Sequence, residues 1–251
     1  MSALTLYDSG AHKNILLGDH TSGEMVPANQ HLIIHNGKGM LLDPGGHKVQ
    51  SAVYSGISTY IPPSELEILF FSHQDPDVVA AANFWFLMTD AKGFVPEIWF
   101  RFVAHFGIDG KLMKRMEKIP DRGMRTLLNG SELIFIPAHF IHSSGNAHVY
   151  DPVSKIFYSG DLGAAADSDY QAVDNFEAHI PLIEGFHRRY MPNTKALKLW
   201  ANMVRSLDIE IIAPQHGAMY MGKDIVNQFI DWVENCPCGV DVMEDVYQIP
   251  V

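Results

Sequence analysis

Apolar and polar positions in this chain follow two rhythms, a strand-like one that dominates the first half and a helical one that dominates the second. Residues 31–46 hold two short apolar runs about Asn36-Gly37, the signature of a β-hairpin, and end in Asp43-Pro44-Gly45-Gly46. The run 68–71 is apolar throughout and predicts a buried strand. Residues 77–88 are apolar on most sides of a helix and predict a buried one. Further strands are expected at 97–102, 131–137, 147–150 and 155–158. The basic stretch 111–118 places Leu112, Met113 and Met116 at helical spacing, which predicts a solvated helix face. Beyond it, 194–207 carries Leu197, Trp200, Met203, Val204 and Leu207 at helical spacing. A buried strand at 209–213 and a final amphipathic helix at 223–234 complete the pattern. Strands with intervening helices over one stretch of this length predict a layered α/β (α+β) fold, with residues 1–251 forming a single domain.

Composition narrows the function. With 251 residues, 47% hydrophobic and 19% charged, the chain has material for a substantial core. The net charge of −11 argues against partners rich in phosphate, so neither nucleic acid nor an anionic membrane is expected. No apolar run reaches the roughly 18–20 residues of a membrane span, and the N-terminus lacks a signal-peptide pattern. Cys236 and Cys238 lie too close together to staple a fold, so a cytoplasmic location is expected, with Cys-Pro-Cys forming a loop after the last helix.

Candidate chemistry sits at the strand exits. The run ending at Phe71 leads at once into Ser72-His73-Gln74-Asp75-Pro76-Asp77, three metal-ligating side chains in five residues. Three more segments repeat the grammar: 135–141 leads to His142-Ser143-Ser144-Gly145, 156–160 to Asp161, and 211–215 to His216-Gly217. An isolated strand-end histidine is usually structural; four such segments together predict one metal site. Imidazoles mixed with carboxylates favour a hard-to-borderline divalent ion over a thiolate-loving one. His12, His20, His31, His35, His47, His105 and His179 lie in loops or strands outside this grammar. His139 and His148 are candidates to orient a ligand from behind.

In that combination the motifs resemble the metallo-β-lactamase superfold. His73-Gln74-Asp75-Pro76-Asp77 stands at its His-x-His-x-Asp-His position, His142-Ser143-Ser144-Gly145 at its third-ligand motif, Tyr158-Ser159-Gly160-Asp161 at its bridging aspartate and Pro214-Gln215-His216-Gly217 at its last histidine. The resemblance covers nearly the whole chain and implies an αβ/βα sandwich with two metals at one edge. Asp75, where zinc hydrolases of the fold carry histidine, is similar to the flavodiiron branch, as is Phe186-His187-Arg188-Arg189-Tyr190-Met191-Pro192.

That branch implies two iron ions (Fe2+/Fe3+) with a bridging oxygen species. His73, Asp75 and His142 would hold one, Asp77 and His216 the other, and Asp161 would bridge them. Tyr190 is a candidate hydrogen-bond donor to bound oxygen. Two departures stand out. Val78 occupies a position where the branch has a ligating histidine, and no phosphate-cradling loop is seen, so no flavin is expected in this chain.

Without a built-in donor, the resemblance narrows to stand-alone oxygen-binding di-iron proteins associated with bacterial chemotaxis. The expected function is binding of dioxygen or NO, as a sensor or as a reductase fed by an external electron donor. A homodimer and a signalling partner follow from the same resemblance. The alternative is a binuclear zinc hydrolase acting on an ester, thioester or lactone, against which Asp75 and Val78 both count. A third is a non-catalytic interaction module that kept the fold.

Overall fold

A computed structural model describes residues 3–250. Among the described residues, thirteen strands form two sheets. The first sheet holds β1 (Leu4–Asp8), β2 (His12–Asp19), β3 (Asn29–His35), β4 (Lys38–Leu42), β5 (Leu66–Phe70), β6 (Lys92–Pro96) and β7 (Met116–Ile119), in that spatial order. β1 to β4 pair antiparallel, and β4 to β7 run parallel. The second sheet runs β13 (Tyr220–Met221), β12 (Ile211–Ala213), β11 (Ile156–Tyr158), β10 (Ala147–Asp151), β9 (Ser131–Pro137), β8 (Met124–Leu128). Its pairs are antiparallel except β11–β12.

Helices cover the outer faces. α1 (Gln50–Ser58), α2 (Pro76–Val79), α3 (Ala82–Met88) and α4 (Phe100–Val103) accompany the first sheet, and α5 (Phe176–Tyr190), α6 (Thr194–Val204) and α7 (Lys223–Asn235) the second. Alternation along each strand sorts the side chains into layers. On β3, Leu32 and Ile34 pack outward with Val53 and Ile57 of α1, whereas Ile33 joins Phe70, Phe135 and Val149 between the sheets. Beyond the second sheet, Phe157 and Ile212 pack against Ile183, Leu197, Trp200 and Phe229 of the three long helices. The result is the expected αβ/βα sandwich.

Several local expectations are corrected. Residues 97–102 form a 3-10 turn (Glu97–Trp99) and the start of α4, not a strand; the strand is β6, which ends at Pro96. Proline there removes a donor, and Trp99, Phe100 and Val103 turn inward at helical spacing. Residues 111–118 split into a 3-10 turn (Leu112–Arg115) and β7, because Met116 adds to the parallel edge beside Gly93. The helix expected over 77–88 is broken into α2 and α3 around Ala80-Ala81, where Ala81 N–H bonds to Gly45 O rather than along the helix. His179 lies in α5, not in a loop or strand.

The sheets also meet through a buried polar network at β2. His12 Nε2 lies 2.7 Å from Asp151 Oδ2, which also accepts from Asn14 Nδ2 and Ser154 Oγ, both at 2.8 Å. Asn14 Nδ2 reaches Tyr158 OH at 2.9 Å as well. All five side chains of this network are buried.

Candidate metal centre

The four strand exits meet at one edge of the sandwich. The β5 exit is fixed first: Phe71 N–H donates to Phe94 O, and Ser72 N–H to Asp43 Oδ1 at 2.7 Å. His73 follows, fully buried, with its Nδ1 2.8 Å from Ser72 Oγ and its Nε2 free. Asp75 caps α2 in extended conformation, and Pro76 at the first helical position starts the turn that brings Asp77 round. Gln74 Nε2 donates to Asp75 Oδ1 at 2.7 Å, leaving Oδ2 for the histidines. The loop after β9 carries His142 and is closed by Ala138 N–H to Asn146 O at 3.0 Å, Phe140 N–H to Ser143 O at 2.7 Å, and Asn146 Nδ2 to Ile141 O. It is tied to the β5 exit by Ala147 N–H to Ser72 O at 2.9 Å.

Asp161 leaves β11 through Gly160, whose φ of +52° is left-handed. Behind it, Gly163 N–H donates to buried His187 Nε2 at 2.9 Å, and Tyr220 OH to Gly163 O at 2.9 Å. His216 follows β12. Its Nδ1–H donates to Pro27 O at 2.6 Å, which turns Nε2 inward. Gly217 after it adopts φ +83°, and a Cβ there would sit 2.3 Å from Ala165 O, so this turn requires glycine.

Three imidazole Nε2 atoms converge on three carboxylates. Asp161 Oδ2 lies 2.9 Å from His142 Nε2; its Oδ1 lies 3.4 Å from His216 Nε2 and 3.8 Å from His73 Nε2. Asp75 Oδ2 is 3.5 Å from both His73 and His142 Nε2. Asp77 Oδ2 is 3.5 Å from His216 Nε2 and accepts from Gln215 Nε2 at 3.3 Å. His73, Asp75, His142 and Asp161 thus form one cluster, with ligand atoms within 4.8 Å of one another. Asp77 and His216 form a second group that shares Asp161. All six predicted ligands come together.

The imidazoles and carboxylates of the cluster shift one another strongly. Burial alone would push the His73 and His216 imidazoles down. The carboxylates of Asp161 and Asp75 around His73, and of Asp161 and Asp77 around His216, outweigh it and hold each up at about 9. Asp161 itself is buried, yet the surrounding imidazoles of His73, His216 and His142 keep its carboxyl well below the usual range. Burial raises Asp77. Buried His73 Nε2 and Asp161 Oδ1 have no hydrogen-bond partner, which is where metal bonds would go. The imidazole and carboxylate donors suit a hard-to-borderline divalent ion, so the residues fit two metals of that kind.

A cavity of about 860 Å3 opens over the site. Phe186 and Tyr190 stand at its wall, their rings stacked 4.5 Å apart, with Tyr190 edge-on to His142 at 5.7 Å. Tyr190 is 56% exposed. Val78 is fully buried among Val49, Val53 and Ala81, away from the cavity wall. His139 does not reach the site; its Nε2 lies 2.7 Å from Asp121 O at the surface. His148 is buried behind it, its Nδ1 accepting from Trp200 Nε1 at 3.2 Å. Pro27, Ser72 and Gln215 support the ligands and carry no sequence signal beyond adjacency to a ligand in the last two.

The family model described as ODP family beta lactamase matches residues 26–217. This chain belongs to that family. A solved structure described as the peroxy diiron species of chemotaxis sensor ODP is 42% identical, with a TM-score of 0.88 over 97% of this chain and 100% of the other. The apo state of chemotaxis sensor ODP from T. denticola is 41% identical, with a TM-score of 0.87 over 98% and 99% of the two chains. Rubredoxin oxygen:oxidoreductase of Desulfovibrio gigas shares the fold at 14% identity and a TM-score of 0.78, covering 92% of this chain and 61% of that one. An uncharacterized protein of Methanocaldococcus jannaschii is 23% identical over 217 residues; the match takes in 81% of this chain and spans about half of that relative's length, 52%.

Proposed function

We infer that this chain is a non-haem di-iron protein that binds dioxygen and acts as an oxygen sensor. The observation that carries the reading is Asp161, whose two carboxylate oxygens face His142 on one side and His73 and His216 on the other. A carboxylate shared between two ligand groups is what a two-metal site needs. The near-full-length likeness to a chemotaxis sensor in a diiron state supports the choice of iron and of oxygen.

In this reading His73, Asp75 and His142 would hold one iron, Asp77 and His216 the other, and Asp161 would be shared between them. Iron would supply redox chemistry toward dioxygen or NO, which zinc does not offer. The chain's own residues do the rest. Ser72 and the Pro27 carbonyl fix the Nδ1 side of His73 and His216, so that both present Nε2. Gln74 and Gln215 hold Asp75 and Asp77 by one oxygen each. Phe186 and Tyr190 line the mouth with aromatic surface, with the Tyr190 ring against His142.

The finer readings follow from the same assignment. Residues 1–251 act as one domain, and a signalling protein or an external electron donor completes the function. A cytoplasmic homodimer is supported by two free, buried cysteines, which suit a reducing compartment, and by exposed Leu87, Ile98 and Phe102. No helix of the described residues is long and apolar enough to cross a membrane.

The test is metal analysis of protein purified without added metal and then reconstituted anaerobically with ferrous iron. Two irons per chain and an oxygen-dependent visible spectrum are expected. Zinc alone, with no iron uptake and no spectral change, would overturn the reading in favour of the hydrolase.

A further inference from the structure

α5 carries two buried histidines that the metal reading leaves unused, His179 and His187. Both rings are engaged at both nitrogens. His187 Nε2 accepts from Gly163 N–H at 2.9 Å, so its proton sits on Nδ1, which donates to Ile183 O at 2.7 Å. Tyr220 OH donates to Gly163 O at 2.9 Å, so its oxygen accepts from His179 Nε2–H at 3.1 Å. His179 Nδ1 is then bare and accepts from Tyr170 OH at 2.6 Å. Two hydrogen-bond chains with fixed proton directions therefore leave one helix and end on one residue, Gly163. Burial keeps both imidazoles neutral, as these chains require: His187 is held down at about 4, and His179 is lowered as well.

Gly163 is where that grip reaches the metal centre. It lies two positions after Asp161, in a turn where Leu162 N–H donates to Ser159 O at 3.0 Å and Ala164 N–H to Asp161 O at 3.1 Å. Those bonds are local; the backbone groups of Gly163 bond instead to side chains from α5 and β13. Its φ of +99° is left-handed, and a Cβ there would come within 2.9 Å of the Tyr220 ring, so glycine lets the backbone settle onto these side chains. The aim of Asp161 depends on this turn. Its Oδ2 must face His142 while its Oδ1 faces His216 and His73, and a rotation that improves one contact spoils the others.

We propose that His187 is a positioning residue for the metal centre: its Nε2, together with the Tyr220 hydroxyl set by His179, holds Gly163 by both backbone groups and so aims the two oxygens of Asp161 at both ligand groups at once. The inference rests on the di-iron reading. A carboxylate shared between two ions loses its hold on both when its backbone turns, whereas a ligand of one ion loses that ion alone. Slackening the grip on Gly163 is therefore expected to weaken the two ions together. α5 also carries Leu182, Phe186 and Tyr190 at the cavity wall, so one helix shapes the mouth and steadies the shared carboxylate.

The test compares wild type with His187→Leu, His187→Gln and Tyr220→Phe, using ferrous iron in anaerobic chelator competition and a thermal melt of each metal-free protein. His187→Leu is expected to weaken both irons about tenfold, in one phase, as for other residues that orient metal ligands. Glutamine presents an acceptor oxygen where the ring has Nε2, so His187→Gln should restore both affinities to within about threefold of wild type. Tyr220→Phe removes the other half of the grip and keeps the ring. It should weaken both irons by about three- to tenfold, the usual worth of one hydrogen bond, and it supplies the same test if the Leu variant does not fold. Loss of one iron alone would overturn the proposal, as would a Gln variant as weak as the Leu variant. A lower melting temperature with iron affinity per folded chain unchanged would also overturn it, since His187 would then be a structural group only. Iron content of the wild type, measured first, separates the two readings. Fewer than two irons per chain would overturn the di-iron reading, whereas two irons whose affinities do not respond to His187→Leu or Tyr220→Phe would overturn this inference alone.

Discussion

His216 Nδ1 lies 2.6 Å from the carbonyl oxygen of Pro27, a residue in the loop before β3. That bond fixes the tautomer and swing of His216, and Asn29 reinforces it by gripping the turn through Pro214 and Gly217. Asn29→Ala is predicted to remove both grips without touching a ligand. One iron per chain should weaken by about tenfold, as for other residues that orient metal ligands, while the other is retained. Chelator competition should become biphasic; a uniform loss of both irons would contradict the assignment.

Ligand removal should separate the two metals. His216→Ala is expected to leave one iron per chain, because His73, Asp75, His142 and Asp161 still form a four-atom group. Asp161→Ala should cost both, since its two oxygens face both groups. Elemental analysis and Mössbauer spectroscopy read these outcomes. Retention of both irons in the Asp161 variant would rule out the bridge.

What the sequence disclosed and what it hid divide along a physical line. The convergence of the six candidate ligands was legible because each stands at or just after the end of an apolar strand, and strands that end at one edge of a sandwich deliver their exits together. The hairpin at 31–46 and the helices at 194–207 and 223–234 were legible because one face of each is uniformly apolar. Residues 97–102 misled because aromatic residues favour strands and helical turns alike when buried. Pro27 was invisible because it acts through its backbone carbonyl. The network of His12, Asn14 and Asp151 joins positions more than a hundred residues apart, and no local pattern announces that.

That network gives a stability prediction independent of the metals. Asp151→Ala removes the carboxylate, leaves buried His12 Nε2 without its partner and leaves Asn14 Nδ2 with Tyr158 OH alone. Breaking one side of a buried pair typically costs about 3–5 kcal/mol, which is roughly 10 °C in melting temperature for a chain of this size. Iron per folded chain should be unchanged. A melting temperature within a degree or two of wild type would show that the pair is not holding the sheets together.

The pH profile of the metal-free protein should be a dome. Burial holds His31 and His187 neutral, at about 4, and His148 at about 3. Each is depressed below the ordinary histidine value, so the unfolded chain takes up protons first as pH falls. Their contribution is intact above about 6.5 and is lost on the way down to pH 4, on the order of 2 kcal/mol per residue. Burial raises Asp43 to about 6, and its titration offsets part of this loss. On the alkaline side, His73 and His216 are raised to about 9. Their stabilisation is complete below about 6.5 and is lost as pH rises through 9. Bound iron replaces those protons, so the alkaline fall should vanish in the loaded protein. Melting curves from pH 4 to 9.5, with and without iron, test this; an alkaline fall that persists with iron bound would mean that the two imidazoles are not ligands.

The last prediction concerns Tyr190, a candidate hydrogen-bond donor to bound oxygen. In the structure the contacts made by this side chain are ring contacts, stacking on Phe186 and meeting His142 edge-on, while more than half of its surface stays exposed. A hydroxyl that donated to a ligand would cost about three- to tenfold in affinity on removal. The geometry instead makes the ring the working part, a wall beside His142. Tyr190→Phe should therefore leave oxygen affinity within about twofold of wild type, below the loss of one hydrogen bond. Tyr190→Ala should speed both association and dissociation by widening the mouth, with a smaller change in their ratio. Stopped-flow mixing of the iron-loaded protein with dioxygen distinguishes the two variants. A Phe variant that binds oxygen as poorly as the Ala variant would return the hydroxyl to the site.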